Sequence, residues 1–510
     1  MDVIFLAMVE VFTLYNLTII VLSLILGVIV GCIPGLTVTL GIILLLPLTY
    51  SFSSPASAII ALLSVYVGGM YGGSISAILI NTPGTNSALA TTFDGYPLAK
   101  KGKAKKALDV SLYASVIGGV FASVVLLVSS EWIAKFVSSF TSTEYFALAI
   151  LGISLIAGVS SDNIFKGILG GLIGIFISVV GFDSVTGVSR FSFGTMLLFA
   201  GLTILPAMIG FIALTQVLFK SRDYINSGGE SEDVKKIDKE GMTKKERRGI
   251  LPAILKSSAI ASFIGTMPGV GGGVAQFLCY NEARRASKKP EEFGRGSLEG
   301  VAAAEASNNA VVSSAMIPLL TLGIPGDGVT AILLGAFILH GIIPGPTMFT
   351  KQGVTAYAII IGLLVANFLL YFIGKIFTRQ IAKIVTVKYS YIAPIILIFC
   401  FAGAYAANGS TYEVILMMGI LVMSYILTTL NVSVIPIMLG MILAPIVESN
   451  FVNSMTIYDG DLLIFFKRPI SLVILILTVV LVWSFMKVNK KVNALKEASI
   501  KLEESKSVDA

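Results

Sequence analysis

Apolar runs of close to 20 residues recur from one end of this 510-residue chain to the other. Each is long enough to cross a hydrocarbon core about 30 Å thick. Only 13% of the residues are charged, against about 25% in a soluble domain, so the chain cannot clothe itself in a water-soluble surface. Segments such as 14–33, 55–80, 107–130 and 353–377 read as full spans. Others, such as 36–50 and 328–343, are shorter or interrupted. The sequence therefore predicts an all-α polytopic membrane protein embedded in a lipid bilayer. We expect about 11–14 helical segments, some of them re-entrant hairpins, because a stretch of 10–14 apolar residues is too short to cross.

The net charge of +7 does not point to nucleic acid. The Lys and Arg residues sit in short loops between spans, where they set topology. Lys235, Lys236, Lys239, Lys244, Lys245, Arg247 and Arg248 crowd one hydrophilic stretch. The expected organisation is a first membrane repeat at 1–219, a charged linker at 220–249, a second membrane repeat at 250–486 and a tail at 487–510. By the positive-inside rule, linker and tail are cytoplasmic. The first ten residues contain no Lys or Arg, which reads as a retained helix rather than a cleaved leader. Cys32, Cys279 and Cys400 lie far apart and His340 is the only histidine, so neither a metal site nor His-based hydrolysis has its residues. No phosphate-binding P-loop is present either. An intramembrane enzyme such as a lipid transferase is the competing reading, and it lacks a catalytic cluster. A stand-alone anion carrier or a channel-like subunit are the others.

Pro-Gly pairs interrupt the apolar segments, and four of them match in order. Pro34-Gly35 corresponds to Pro268-Gly269, and Pro83-Gly84 to Pro325-Gly326. The offsets are 234 and 242 residues, and the loop around Arg284–Gly300 absorbs the difference. Loop charge alternates between the halves. The loop at 51–55 is uncharged, whereas 284–295 holds Arg284, Arg285, Lys288, Lys289 and Arg295. After the second break the bias reverses, from the basic stretch at 100–106 to Lys351 alone. That pattern predicts two repeats of inverted topology, as in many secondary transporters.

Proline lacks an N–H and glycine opens backbone conformations closed to other residues. Broken backbone survives at membrane depth only inside protein or against a wet cavity. The exposed helix ends then offer N–H donors to an anion and C=O acceptors to a cation. We therefore expect substrate binding at Asn81, Thr82, Pro83, Gly84, Thr85 and Asn86 and at Gly323, Pro325 and Gly326. An ion, with Na⁺ possible, is expected at Pro34, Gly35, Thr37, Thr266, Gly269 and Asp327. Asn308 and Asn309, with Glu305 one turn before them, place polar groups in an apolar segment and join the substrate set. Gly68, Gly69, Gly72 and Gly73 form a small-residue face that packs or slides. Asp94 is read as facing water, and Arg190 as a loop charge able to attract an anion.

Longer stretches resemble the large membrane subunit of the tripartite tricarboxylate transporter family. The resemblance rests on Gly31–Gly41, Tyr71–Gly84, Phe93–Gly102, Gly181–Gly194 and Gly265–Gly269, then on Glu305–Ala310, Thr321–Gly326, Ile342–Pro346, Met438–Asn450 and Phe465–Ser471. It covers nearly the whole chain in order, leaving out the linker and tail. It implies a secondary carrier for organic carboxylates in the bacterial cytoplasmic membrane, with no cofactor. The implied partners are a small membrane subunit and an extracytoplasmic solute-binding protein. Na⁺ is the implied coupling ion, and an elevator-like movement follows by analogy. No residue in the sequence selects citrate over a related di- or monocarboxylate.

Overall fold

The computed structural model describes residues 2–137, 139–154, 164–182, 188–199, 201–226, 240–267, 271–381 and 387–483. The fold is all-α. Among the described residues the strands are a two-residue antiparallel pair, Gly181–Phe182 with Ser189–Arg190. In chain order the helices are α1 (Asp2–Val11), α2 (Leu14–Cys32), α3 (Val38–Thr49), α4 (Pro55–Ile80), α5 (Leu89–Lys100) and α6 (Ala104–Val137). Then come α7 (Ser142–Ser154), α8 (Ile164–Ser178) and α9 (Ile204–Asn226), the last with a π-helical stretch at Ile209–Leu214. The second half supplies α10 (Lys244–Gly265), α11 (Gly271–Ala286), α12 (Leu298–Leu322), α13 (Gly328–Leu339) and α14 (Gly353–Ile381). Last are α15 (Tyr389–Asn408), α16 (Thr411–Thr429), α17 (Val434–Ile457) and α18 (Pro469–Trp483). Among the described residues, eight helices are long and apolar enough to cross a membrane, and α3, α8, α13 and α18 are shorter apolar helices.

Local chemistry sets where these helices begin. The hydroxyls of Thr13, Thr37, Ser54 and Ser297 accept the first free amides of α2, α3, α4 and α12, as N-caps do. Thr243 with Glu246 opens α10, and Asp327 with Thr330 opens α13, each as a reciprocal capping box.

The chain clusters into two compact units, Met1–Ser139 with Ile204–Leu421, and Phe140–Thr203 with Val422–Ala510. In the first, α4 is buried along its length and α2 lies against it. A Cβ on Gly31 would stand 2.1 Å from the Gly69 carbonyl oxygen, and one on Gly72 2.3 Å from that of Val28. The glycine face is thus a packing surface at backbone contact. Gly72→Leu should force α2 and α4 apart at about 1–3 kcal/mol or more, the usual cost of overpacking. A lower thermal midpoint in detergent would register this, and an unchanged midpoint would contradict it.

Two successions of five helices, α2 to α6 and α10 to α14 without the short turn at Pro346–Lys351, pack in exchanged pairs. Helix α6 lies on α10 and α12, and α14 lies on α2 and α4. Likewise α5 meets α11 and α12, while α13 meets α3 and α4. Individual contacts recur at the offsets of the Pro-Gly pairs. Gly31 abuts Gly69 as Gly265 abuts Val311, Gly69 meets Val38 as Val311 meets Gly272, and Gly84 meets Gly73 as Gly326 meets Ala315.

Helices α4 and α12 run in opposite directions where they cross. The Asn309 amide donates to Val67 O at 3.5 Å, and that of Asn308, one residue earlier, to Met70 O at 3.1 Å and Ser74 Oγ at 3.4 Å. Connections gather at two poles. At one, Ser54 Oγ donates to Glu10, the Ser53 amide to Tyr15, and His340 bonds Thr49. At the other, Lys101 donates to Arg295 O, Lys106 pairs with Glu240 and Glu246, and Gly296 and Ser297 donate to Asp94.

In the second unit α17 packs on α7 and α8, with Gly440 against the carbonyl of Gly171 and Gly174 against that of Ile437. Arg468 bonds the buried Glu144, whose other oxygen accepts from the Thr141 amide and hydroxyl. Arg190 pairs with Glu448 at 2.6 Å. The loop charge expected to attract an anion is thus held by a carboxylate of its own unit.

Candidate functional site

The first tip lies between α4 and α5. Asn81 ends α4 in the left-handed region at φ 58°, with its side chain exposed. Thr82 and Pro83 are half-buried. Gly84 is buried, its amide donating to Gly73 O at 3.2 Å. A Cβ there would lie 2.0 Å from Gly31 O and 2.8 Å from Gly73 Cα. Thr85 packs on Gly73, and Asn86 opens a 3₁₀ turn to Ala88. Ser87 in that turn touches Gly272 at the start of α11. The first tip therefore meets a helix that follows a break in the other half. Asn81→Gly keeps the left-handed turn unstrained and should melt near wild type while lowering uptake, whereas Asn81→Val adds about 1–2 kcal/mol of left-handed strain and should lower both. Parallel uptake and melting curves compare the two.

The second tip is built differently. Gly323 ends α12 at φ 71°, close to Pro344 O. Pro325 and Gly326 are buried. Asp327 Oδ1 accepts from the Thr330 amide and hydroxyl at 2.8 Å each. Its Oδ2 accepts from the buried Tyr66 hydroxyl at 2.8 Å. Tyr66 was invisible as a site residue in the sequence, because its partner lies 261 residues away.

The upstream break of the first half is occupied by protein. Thr37 donates to Gln216 Oε1 at 3.0 Å while capping α3. Half-buried Pro34 and Gly35 lie beside it, and the Lys220 side chain lies over Gly35. Thr266 donates to Phe263 O and lines an open, mainly apolar groove of about 520 Å³ between α6, α10 and α12. Pro268 and Gly269 fall outside the described residues.

Glu305 is fully buried in α12. One oxygen accepts from Thr91, and the other from Ser111 and Ser115 at 3.1 Å each. Gln276 extends the network to Thr91 and the Ala90 amide. Asp94 is also fully buried. It accepts from Tyr280 and from the Gly296 and Ser297 amides, all at 2.8 Å. The expectation that Asp94 faces water fails, because its carboxylate ties α5 to the start of α12.

A family model described as Tripartite tricarboxylate transporter TctA family matches residues 17–439, which takes in both tips, both breaks and the crossing. The chain belongs to the TctA family. It is therefore a membrane subunit of a tripartite tricarboxylate transporter, a class that implies small membrane and periplasmic binding partners. This TctA-family chain is 34% identical over 446 residues to an uncharacterized 52.8 kDa protein in the TAR-I ttuC′ 3′ region of Agrobacterium vitis, covering 88% of each chain. It is 38% identical over 212 residues to an uncharacterized protein in the TAR-II ttuC′ 3′ region of the same organism, covering 41% of this chain and 87% of that one. No solved structure matches. The TctA-family match runs through residues of both units. Within it, Glu305–Ala310 holds the crossing with α4.

Proposed function

We propose that this chain carries organic carboxylates into the cell down an ion gradient, with Na⁺ as the coupling ion. The carboxylate is citrate or a related tri-, di- or monocarboxylate. One observation carries the reading: two interrupted helices, each ending in a Pro-Gly tip, cross in opposite directions with polar side chains between them. Buried asparagines and a carboxylate are costly in an apolar interior, and a carrier needs polar groups at such a crossing. The Asn81–Asn86 tip is the proposed substrate contact, because its helix ends and amides receive an anion without a buried cation.

The exchanged pairing of α6 with α14 and the opposed α4 and α12 support an inverted duplication. The Lys- and Arg-rich pole is assigned to the cytoplasm and the Thr49–Ser54 pole to the outside, in the bacterial cytoplasmic membrane. Single cysteines at Ser53 and Lys289 should then react with impermeant maleimide from opposite sides. Reaction from one side sinks the inversion. An elevator-like movement of the tip-bearing helices is the proposed mechanism.

The function is tested in proteoliposomes with the small membrane subunit and the binding protein. Labelled citrate and a panel of smaller carboxylates should accumulate under an inward Na⁺ gradient. Absence of accumulation for every carboxylate under Na⁺ and proton gradients alike would overturn the carrier reading.

A further inference from the structure

Asn308 and Asn309 are both fully buried, and their Oδ1 atoms have no hydrogen-bond partner. Their orientation is fixed by the partners they do have. Each Nδ2 faces a backbone carbonyl of α4, Met70 or Val67, and carbonyls only accept. The oxygens therefore point elsewhere. The Thr85 hydroxyl, buried and also without a partner, lies against Gly73 in the same stretch of α4. Buried polar atoms left unmatched are rare and call for an explanation.

The halves supply one. Tyr66 and Asn308 are 242 residues apart, as are Thr85 and Asp327. At the second tip Tyr66 reaches Asp327 and closes the pair at 2.8 Å. At the first tip a shorter asparagine replaces the tyrosine and a threonine replaces the aspartate, and neither oxygen finds the other. The tips have diverged, one sealed by an aromatic ring and one lined by oxygens.

Amide oxygens accept and never donate, so they repel a carboxylate and attract a cation. The Glu305 carboxyl lies one turn earlier. It is bonded by neutral hydroxyls, and no ion pair forms to it among the described residues. A cation bound nearby favours its ionised form and is attracted to it. Among the described residues no group of three His, Cys, Asp or Glu could hold a metal. Neutral oxygens with one nearby carboxylate suit a small monovalent ion rather than Ca²⁺ or a transition metal.

We propose that Thr85 Oγ1, Asn308 Oδ1 and Asn309 Oδ1 are ligands of a monovalent cation of Na⁺ size, bound between the first tip and the crossing of α4 with α12. This rests on the carrier reading for the ion's role, though not for its binding. It moves the ion away from Thr37 and Thr266, whose hydroxyls are already bonded.

The test is ²²Na⁺ binding to the purified full-length chain in nanodiscs, which needs neither substrate nor partner. Wild type should bind saturably, with K⁺ a poor competitor. Thr85→Val, which keeps the shape and removes the oxygen, should weaken binding at least tenfold, and Thr85→Ser should retain it. Asn308→Ala should behave as Thr85→Val; if it does not fold, the two threonine variants decide. Absence of saturable binding to wild type, or unchanged binding in folded Thr85→Val, overturns the site. Binding without carboxylate uptake instead overturns the carrier reading and leaves the cation site standing.

Discussion

Replacing Gly84 by valine should lower carboxylate uptake on the order of 100-fold, the scale of loss that a misplacement of about 1 Å brings to a preorganised site. The protein should still insert and purify as one species. The first tip sits so close to α2 that a Cβ at Gly84 would stand 2.0 Å from the Gly31 carbonyl oxygen. Nothing there is a flexible side-chain end; the obstacles are backbone atoms of Gly31 and Gly73. The tip must therefore lift, breaking the Gly84–Gly73 hydrogen bond and carrying Thr85 away from the crossing. Gly419→Ala serves as control, since nothing lies within 4 Å of its added methyl, and it should transport normally. Initial rates of labelled carboxylate uptake measure both. Normal uptake by Gly84→Val would remove the tip from the site.

The second large effect is at Glu305, where two variants separate charge from packing. Glu305→Ala strips the acceptor from Thr91, Ser111 and Ser115. Each buried group left unsatisfied costs about 1–3 kcal/mol, so the variant should melt well below wild type or fail to fold. Glu305→Gln keeps the size and one carbonyl oxygen, and hydroxyls can rotate to meet its amide. It should fold, with a midpoint within a few degrees of wild type. Its uptake should nevertheless fall about tenfold or more, because 1.4 kcal/mol of lost electrostatic attraction is already a factor of ten. A Gln variant that transports normally would make Glu305 purely structural. Thermal melts beside Na⁺-dependent uptake give both readings.

Much of this was legible in the sequence because it is local. The length of the apolar runs implied spans, and proline beside glycine implied interrupted helices. The paired offsets of 234 and 242 residues reappear as matched contacts such as Gly84 on Gly73 and Gly326 on Ala315. Polar residues in α12 stood out against an apolar background. What could not be read was partnership across distance. Tyr66 looks like any aromatic in a membrane helix until Asp327 is beside it. Asp94 looked solvated because its hairpin is polar, yet the amides that bury it come from the start of α12. Arg190 and Glu448 lie 258 residues apart, and no periodicity links them. The linker at 220–249 divides the sequence, whereas each packed unit draws on both sides of it, the first because α6 and α14 exchange partners and the second because α17 packs on α7 and α8.

The central claim is that the Asn81–Asn86 tip contacts the transported carboxylate, and protection of a cysteine at Thr82 tests it most directly. Thr82 is half-buried, its hydroxyl donating to Ile80 O at 3.4 Å, and the buried Cys32, Cys279 and Cys400 are first exchanged for alanine. In that background, saturating transported carboxylate with Na⁺ should slow maleimide labelling of Thr82→Cys about tenfold, since a bound small molecule has most of its surface buried in its site. A labelling rate indifferent to the carboxylate, in a variant that still transports it, would contradict the account.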